Sequence, residues 1–433
     1  MNTKAFQRAA FRNEGGATGS NQATGWGTTN VNNLPGTGDG IPYLSLGKSK
    51  TISSVPDNSI VSEGFDDLPR QVTKYVEQSV SYVNKLDGFN PQLYWAFGLC
   101  DEVLPVVCYV CSSPVTEPVA GATYTDSSAN SLTFLRKEVN GSYYTLYVFT
   151  QTAVVSSQSG SLTRVSGTGS DLTFNAHSSI LYESVFKIDP RERHLVVPAV
   201  TQRISTYQSG DLKCRMATIG VNMDTNSDFL FINAMCKKFN VSSSAGALSE
   251  LSTDFLARDR EVSNYSSSTW TYPSAVDADN NILHHYWSVY VNNTLVGCTS
   301  FNLGFEIPLQ VIQDTLTGLF IAEPVMEGKY VFNSEIVLSR YSSLAWENLS
   351  DAWTEVPARI AAYSGYKLQE FFINNAIITN ASPDDDNVAK QKLKLELGTS
   401  LTNNFPSQGL SITDYSPLMC RVRNTTATNY MRV

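Results

Sequence analysis

Residues 229–257 read FLFINAMCKKFNVSSSAGALSELSTDFLA. Phe229–Val241 and Ala247–Ala257 carry the aromatic and alternating apolar content of strands, and the SSSAG between them is a turn of small residues. The stretch therefore predicts two strands joined through a tight connection. The same pattern recurs outward in both directions. In Val72–Tyr82, VTKYVEQSVSY, the residues Val72, Val76, Val80 and Tyr82 share one face, with mostly polar residues on the other. Further strands are predicted over 142–155, 283–291, 297–309, 329–341, 368–379 and 388–397. In the last, Leu393, Leu395 and Leu397 alternate with Lys392, Lys394 and Glu396, so one face is buried and one wet. Asp384, Asp385 and Asp386 precede it in a turn. Helical periodicity is weak, and AWTEVPARIAAY over 352–363 is the best short helix despite Pro357. The expected class is all-β with one or two short helices.

The order of these parts repeats. A shift of 258 residues places Glu77 on Glu335, Ser81 on Ser339, Asn90 on Asn348 and Trp95 on Trp353. Further on, Phe231–Ile232–Asn233 falls on Phe372–Ile373–Asn374 at a shift of 141, and the return strands 247–257 and 387–397 keep a shift of 140. The drop from 258 to 141 predicts about 117 additional residues in the first copy. The expected organisation is an arm at 1–45, flexible and rich in Gly, Thr and Asn, then a first module from 46–99 and 221–265. A β-domain is inserted at 100–220, a second module spans 280–400, and 401–433 is a C-terminal extension.

At 433 residues the chain is long enough for two or three folded units. Only 16% of residues are charged, below the roughly 25% of typical soluble chains, so Ser, Thr, Asn and Gln supply the polar surface. That mix suits extended protein–protein contact. The net charge of -9, with no cluster of Lys or Arg, argues against tight nucleic-acid binding. It permits a neutral or acidic wall past which DNA slides. No run of 18 apolar residues predicts a membrane-crossing helix, and the N-terminal MNTKAFQRAAFRNEGG lacks the apolar core of a secretory signal.

Chemistry is sparse. The seven cysteines are odd in number and scattered; Cys108 and Cys111 form a CxxC without two further zinc ligands nearby. His284 and His285 are adjacent, so in a strand they point to opposite faces and chelate poorly. Asp384–Asp386 lack the calcium-loop pattern. Glu183, Asp189, Glu192 and His194 suggest a charged loop or an intersubunit ion-pair cluster. No catalytic residue, cofactor or metal ligand is expected.

Residues 228–261, DFLFINAMCKKFNVSSSAGALSELSTDFLARDRE, resemble the strand pair of tail tube proteins of long-tailed, siphovirus-like phages. There a buried strand turns through small residues into a return strand with an Asp/Arg-rich end. Residues 297–341, GCTSFNLGFEIPLQVIQDTLTGLFIAEPVMEGKYVFNSEIVLSRY, resemble the unit that follows. With 66–98 and 371–397, the likeness covers roughly half the chain. It implies duplicated tube-like β-sandwich or barrel modules whose sheets join side by side into stacked rings around a DNA channel. The implied partners are copies of the chain itself, in trimeric or hexameric rings, and other tail proteins. DNA would pass without tight binding, no membrane is implied, and the protein would be made in the host cytoplasm and end in the virion tail. In such a ring Lys74, Glu77 and Gln78, with Lys390, Lys392, Lys394 and Glu396, are candidates for the channel or subunit contacts; ordinary exposure on a monomer is the alternative. A β-sandwich that binds a host receptor or glycan through the insertion is the second reading, and an extracellular hydrolase the third.

Overall fold

The computed structural model describes residues 9–14, 40–41, 43–46, 51–57, 67–87, 90–100, 103–140, 144–154, 157–188, 216–224, 227–263, 281–313, 318–321, 324–326, 330–340, 344–384, 387–398 and 416–426. Strand accounts for 66% of the structure and helix for 7%, so the fold is all-β. No described helix is long and apolar enough to cross a membrane.

Eight strands form one continuous antiparallel wall. They are β1 (Tyr43–Leu46), β2 (Asp67–Val83), β3 (Ser227–Ser244), β4 (Glu250–Ala257), β5 (Cys298–Glu306), β6 (Val331–Leu338), β7 (Lys367–Asp384) and β8 (Asn387–Leu397). Their lateral order is β1-β2-β4-β3-β5-β6-β8-β7. This is a four-stranded unit used twice, with β3 and β5 making the joint. Each unit has a short helix at the same place: α1 (Asn90–Phe97) after β2, and α2 (Ala345–Asp351) after β6.

The ladders show how alike the units are. In the first, Phe239 faces Thr253 and Val241 faces Leu251; in the second, Ala381 faces Leu393 and Pro383 faces Gln391. The offset from β3 to β7 is thus a constant 142 residues. Both ladders slip at the same point, between Cys236 and Lys238 and between Ile378 and Asn380. The FIN phrases themselves do not coincide. At this offset Phe231 corresponds to Ile373 and Asn233 to Asn375, one residue away from the match at a shift of 141. A one-residue slip moves every side chain to the opposite face. Accordingly Phe231 and Ile373 enter the main core, whereas Phe372 packs with Met419 elsewhere.

β3 and β7 are long because each serves two layers. The first half of β3 pairs with Met216–Asp224, itself paired with Ala9–Glu14, and with Asp259–Ser263. The first half of β7 pairs with Glu355–Ser364 and Leu418–Asn424. The core lies between wall and second layer and is shared by both units. α1 plugs it: Phe97 is fully buried and meets Phe239 of β3 and Phe305 of β5 edge-on, with ring centroids 5.4 and 5.3 Å away. Trp95 donates its indole N–H to the Ala234 carbonyl at 2.9 Å. Phe97→Ala should therefore cost about 3–5 kcal/mol in denaturant unfolding, as a void under both units. A loss below ~1 kcal/mol would place the core elsewhere.

Several expectations are corrected. Residues 355–364 are a strand rather than part of a helix; Val356, Ala358 and Ile360 alternate into the core, and Pro357 supplies no N–H for a helical ladder. Trp353 is 66% exposed at a φ of 49°, and the counterpart of Trp95 in the core is Trp346. Leu418–Asn424 is buried along its length in the second layer, so the C-terminal region is more than an extension. Ala9–Glu14, expected within a flexible arm, pairs inside its own chain.

Between α1 and Met216, the first unit carries a separate six-stranded barrel. Its strands close in the order Leu104–Cys111, Tyr144–Thr150, Ser131–Asn140, Thr123–Thr125, Gly160–Ser166, Leu172–His177 and back to the first. Tyr109, Tyr124, Phe134, Tyr147, Phe149 and Phe174 fill it. Closure leaves this barrel without a free edge.

Candidate functional site: the polar face and its two edges

Alternation gives the wall one face for the core and one for water. On β2, Val76, Val80 and Tyr82 are buried, while Glu77 and Ser79 are exposed. Across the wall the outward face continues with Ser252 and Asp254, Lys238, Asn240 and Ser242, Ser300, Asn302 and Glu306, Asn333 and Glu335, and Lys390, Lys392, Lys394 and Glu396. Glu77 and the four residues of β8 named from sequence therefore share one face. Lys74 and Gln78 do not: they have the parity of Val76 and lie half-buried on the core side. Lys74 sits 5.7 Å from the centre of the Phe320 ring.

Six carboxylates (Glu77, Glu250, Asp254, Glu306, Glu335, Glu396) meet five ammonium groups (Lys237, Lys238, Lys390, Lys392, Lys394) on this face, leaving it one charge negative. Many are paired. Lys237 bonds Glu77, Lys392 lies 3.3 Å from Glu335, and Lys394 3.5 Å from Glu396. The hydrogen bond to Glu77 raises Lys237 above its usual value, and burial raises Asp254. Such a surface offers no array of free cations to hold phosphate.

At the joint of the two units the face hollows to about 340 Å³, lined by Ser242, Ser244, Glu250, Ser300, Asn302 and Glu335 among others. The approach there is tight. Asn240 opposes Gly304, and a Cβ on Gly304 would stand 2.6 Å from the Phe239 carbonyl oxygen and 2.7 Å from Asn240 Oδ1. Behind the hollow, Ser243 Oγ and His284 Nδ1 lie 3.1 Å apart, and His284 Nε2 lies 3.1 Å from the Cys298 carbonyl oxygen. A carbonyl only accepts, so Nε2 carries a proton and donates. This pair pins the joint from the core side, where Ser243 is 4% exposed.

The wall has two lateral ends. Among the described residues, no strand lies outside β1, and none lies beside β7 past Ile377, where Glu355 makes the last pairing of its neighbour. The backbone of Ile378–Asp384 is an edge there.

The other residues singled out from sequence have ordinary settings. Burial pushes the Cys108 thiol up to about 11 and the Cys111 thiol up to about 12, away from the thiolate that binds metal or attacks. Among the described residues no three His, Cys, Asp or Glu side chains converge as a metal site. His285 packs against Tyr286. Asp385, Asp386, Asp189, Glu192 and His194 lie outside the described residues.

Glu183 belongs to a buried ion network that fastens the inserted barrel to the second layer. Arg423 binds both Glu138 oxygens at 2.9 Å and the Tyr366 carbonyl at 2.8 Å. Arg136 bonds Glu138 at 2.7 Å and Glu183 at 2.8 and 2.5 Å. Arg421 and Arg359 flank Glu370 at 2.5 and 2.7 Å. Sequence reading found only Glu183; the available signal was LMCRVRN over 418–424, a strand with charges at alternate positions. Burial alone would raise Glu138 and Glu183, but Arg423 and Arg136 beside the first, and Arg136 and Arg421 beside the second, hold both below the usual carboxylate range. Depressed carboxylates contribute stability above their unfolded pKa of about 4.3, and lose it as pH falls toward the folded value. The unfolding free energy should be flat from pH 7 to 5 and decline below about 4.3, by up to ~1.4 kcal/mol per pH unit for each carboxylate. Glu138→Gln should flatten that decline; an unchanged acid limb would remove the network from acid stability.

No protein-family model matches the chain, and no curated protein matches it either.

Proposed function

We propose that this chain is a virion structural protein, a tail tube subunit that assembles into stacked rings around a DNA-conducting channel. One observation carries the reading: a four-stranded unit occurs twice side by side in one wall, and the described wall ends in open strands. An open edge invites pairing with another strand, and ring closure satisfies every edge at once. Three copies, each bringing two units, would make a ring of pseudo-sixfold symmetry, as the tube-protein resemblance implies. The polar face would then line the channel. Its paired charges and small net negative charge suit passage of DNA without adhesion. The inserted barrel, on the side of the second layer, would decorate the outside.

The reading as a glycan- or receptor-binding module has less support. Tyr109, Tyr124 and Tyr147 fill the core of the inserted barrel and offer no stacking platform for a sugar. The reading as a non-enzyme rests on the same footing: the histidines and thiols described above are engaged or buried.

Negative-stain imaging of the purified full-length protein over a concentration series tests the proposal. Stacked rings or tubes are expected; a monomer at every concentration would sink it.

A further inference from the structure

We infer that His177 is a pH-operated latch, which as an imidazolium ties Ser157 across the end of the inserted barrel and as a neutral imidazole lets it go. The inference is independent of the ring reading and rests on a count of protons. His177 ends the barrel strand Leu172–His177 and is 7% exposed. Its Nδ1 lies 2.7 Å from the Ser178 carbonyl oxygen, and its Nε2 lies 3.0 Å from the Ser157 carbonyl oxygen. Carbonyl oxygens only accept, so both contacts are hydrogen bonds only when both ring nitrogens carry protons. A neutral ring has one such proton and must turn a lone pair toward the other carbonyl. His284 supplies the contrast: the Ser243 hydroxyl can donate to its second nitrogen, and no charge is needed.

The surroundings suit a charged ring. Tyr109, directly across the ladder, and Phe174 have ring centroids 5.6 and 5.8 Å from the imidazole, within the distance at which aromatic rings attract cations. Three other titratable groups face this end: the Tyr109 phenol, the Cys111 thiol opposite Phe174, and Asp126. Tyr109 donates to Gln151 Oε1 at 2.7 Å, and Gln151 Nε2 donates to Asp126 Oδ2 at 3.2 Å. Burial raises the phenol and the thiol above their ordinary values, so neither takes a charge in the range where histidines titrate. The Asp126 carboxylate is occupied by the N–H groups of Ser128 and Asn130 and by the Asn130 and Gln151 side chains. Only the imidazole has contacts that a single proton makes or breaks. Its two ties are unequal. Ser178 is fixed to the strand Leu104–Cys111, donating its N–H to the Cys108 carbonyl at 2.9 Å and accepting from the Cys108 N–H through Oγ at 3.0 Å. Ser157 is exposed, and its hydroxyl bonds locally to the Ser159 carbonyl. When the proton leaves for solvent, the Ser157 tie is the one that yields. The latch is closed at acid pH and opens as pH rises, opposite in sign to the carboxylates of the ion network.

The test is hydrogen–deuterium exchange of the full-length protein at about pH 6 and about pH 9, either side of ordinary histidine titration and corrected for the intrinsic pH dependence of exchange. Peptides covering residues 157–162 should lose protection at least about tenfold at the higher pH, the effect of one charge-assisted hydrogen bond. Peptides covering residues 131–140, on the far side of the barrel end, should keep theirs. His177→Gln has one donor and one acceptor at every pH, so it should be unlatched at both. A second measurement needs no substitution. In nitrogen-15 NMR of histidine-labelled protein, one ring should show two persistent N–H protons at about pH 6 and not at about pH 9. Equal protection of 157–162 at the two pH values would overturn the latch. So would a pH difference that survives in His177→Gln, or the absence of a doubly protonated ring at acid pH.

Discussion

Arg423→Met should lower the unfolding free energy by about 3–5 kcal/mol, although the position touches neither the polar face nor an open edge. The guanidinium is fully buried and spends its donors on both oxygens of Glu138 and on the Tyr366 carbonyl. Methionine fills much of the volume but leaves Glu138 buried with Arg136 as its remaining direct cation. A carboxylate stranded in this way costs far more than the intact pair contributes, because the desolvation of the remaining charge is no longer offset. The loss should be local as well as global. Arg423 sits on the strand Leu418–Asn424, Glu138 on a barrel strand and Glu183 between them, so proteolysis should first release the barrel from the second layer. Chemical denaturation measures the first effect and limited digestion the second. A change under ~1 kcal/mol would mean that water reaches Glu138 and screens it.

The same network shows where sequence reading stops. Strand content, the hairpin through SSSAG and the alternation of Leu393 and Leu395 with Lys392 and Lys394 are local properties, and they were legible because period-2 patterning reports a half-buried sheet directly. Pairing partners were not. Arg136, Glu183 and Arg423 are distant in sequence and meet only through the closure of the inserted barrel onto the second layer. The FIN phrases illustrate a subtler limit. Identical letters suggested a shift of 141, but the ladders require 142, because hydrogen bonds and the burial of Phe231 and Ile373 decide register, not composition. The segment 352–363 failed for a related reason. Alanines spread through it mimic a helix, and only its pairing with β7 reveals a strand. Polarity alone groups Lys74 and Gln78 with Glu77; their parity with Val76, visible in the sequence, sets them on the core side of the wall.

Ala381→Pro should abolish ring formation at concentrations where the parent assembles, raising the threshold on the order of 100-fold, while the subunit stays folded. Ala381 corresponds to Phe239, an odd-numbered position whose backbone bonds cross the internal joint, so its N–H points out of the wall and away from β8. Proline at that site removes a donor that the isolated subunit does not use within the wall. In a joined pair it removes a ladder bond and leaves a carbonyl of the next copy without a partner, about 2–3 kcal/mol per joint. The internal joint supplies the contrast. Phe239→Pro breaks the equivalent bond inside the chain, as well as the aromatic contacts with Phe97 and Phe305, and should prevent folding altogether. Sedimentation over a concentration series reads assembly, and thermal unfolding reads the subunit, whose midpoint should move by less than about 5 °C for Ala381→Pro. If that variant melted like Phe239→Pro, the edge of β7 would already be occupied within the monomer. If it assembled like the parent, the rings would be built from some other surface. Only an edge that is structurally idle in one copy and bonded between copies gives loss of assembly with retention of fold.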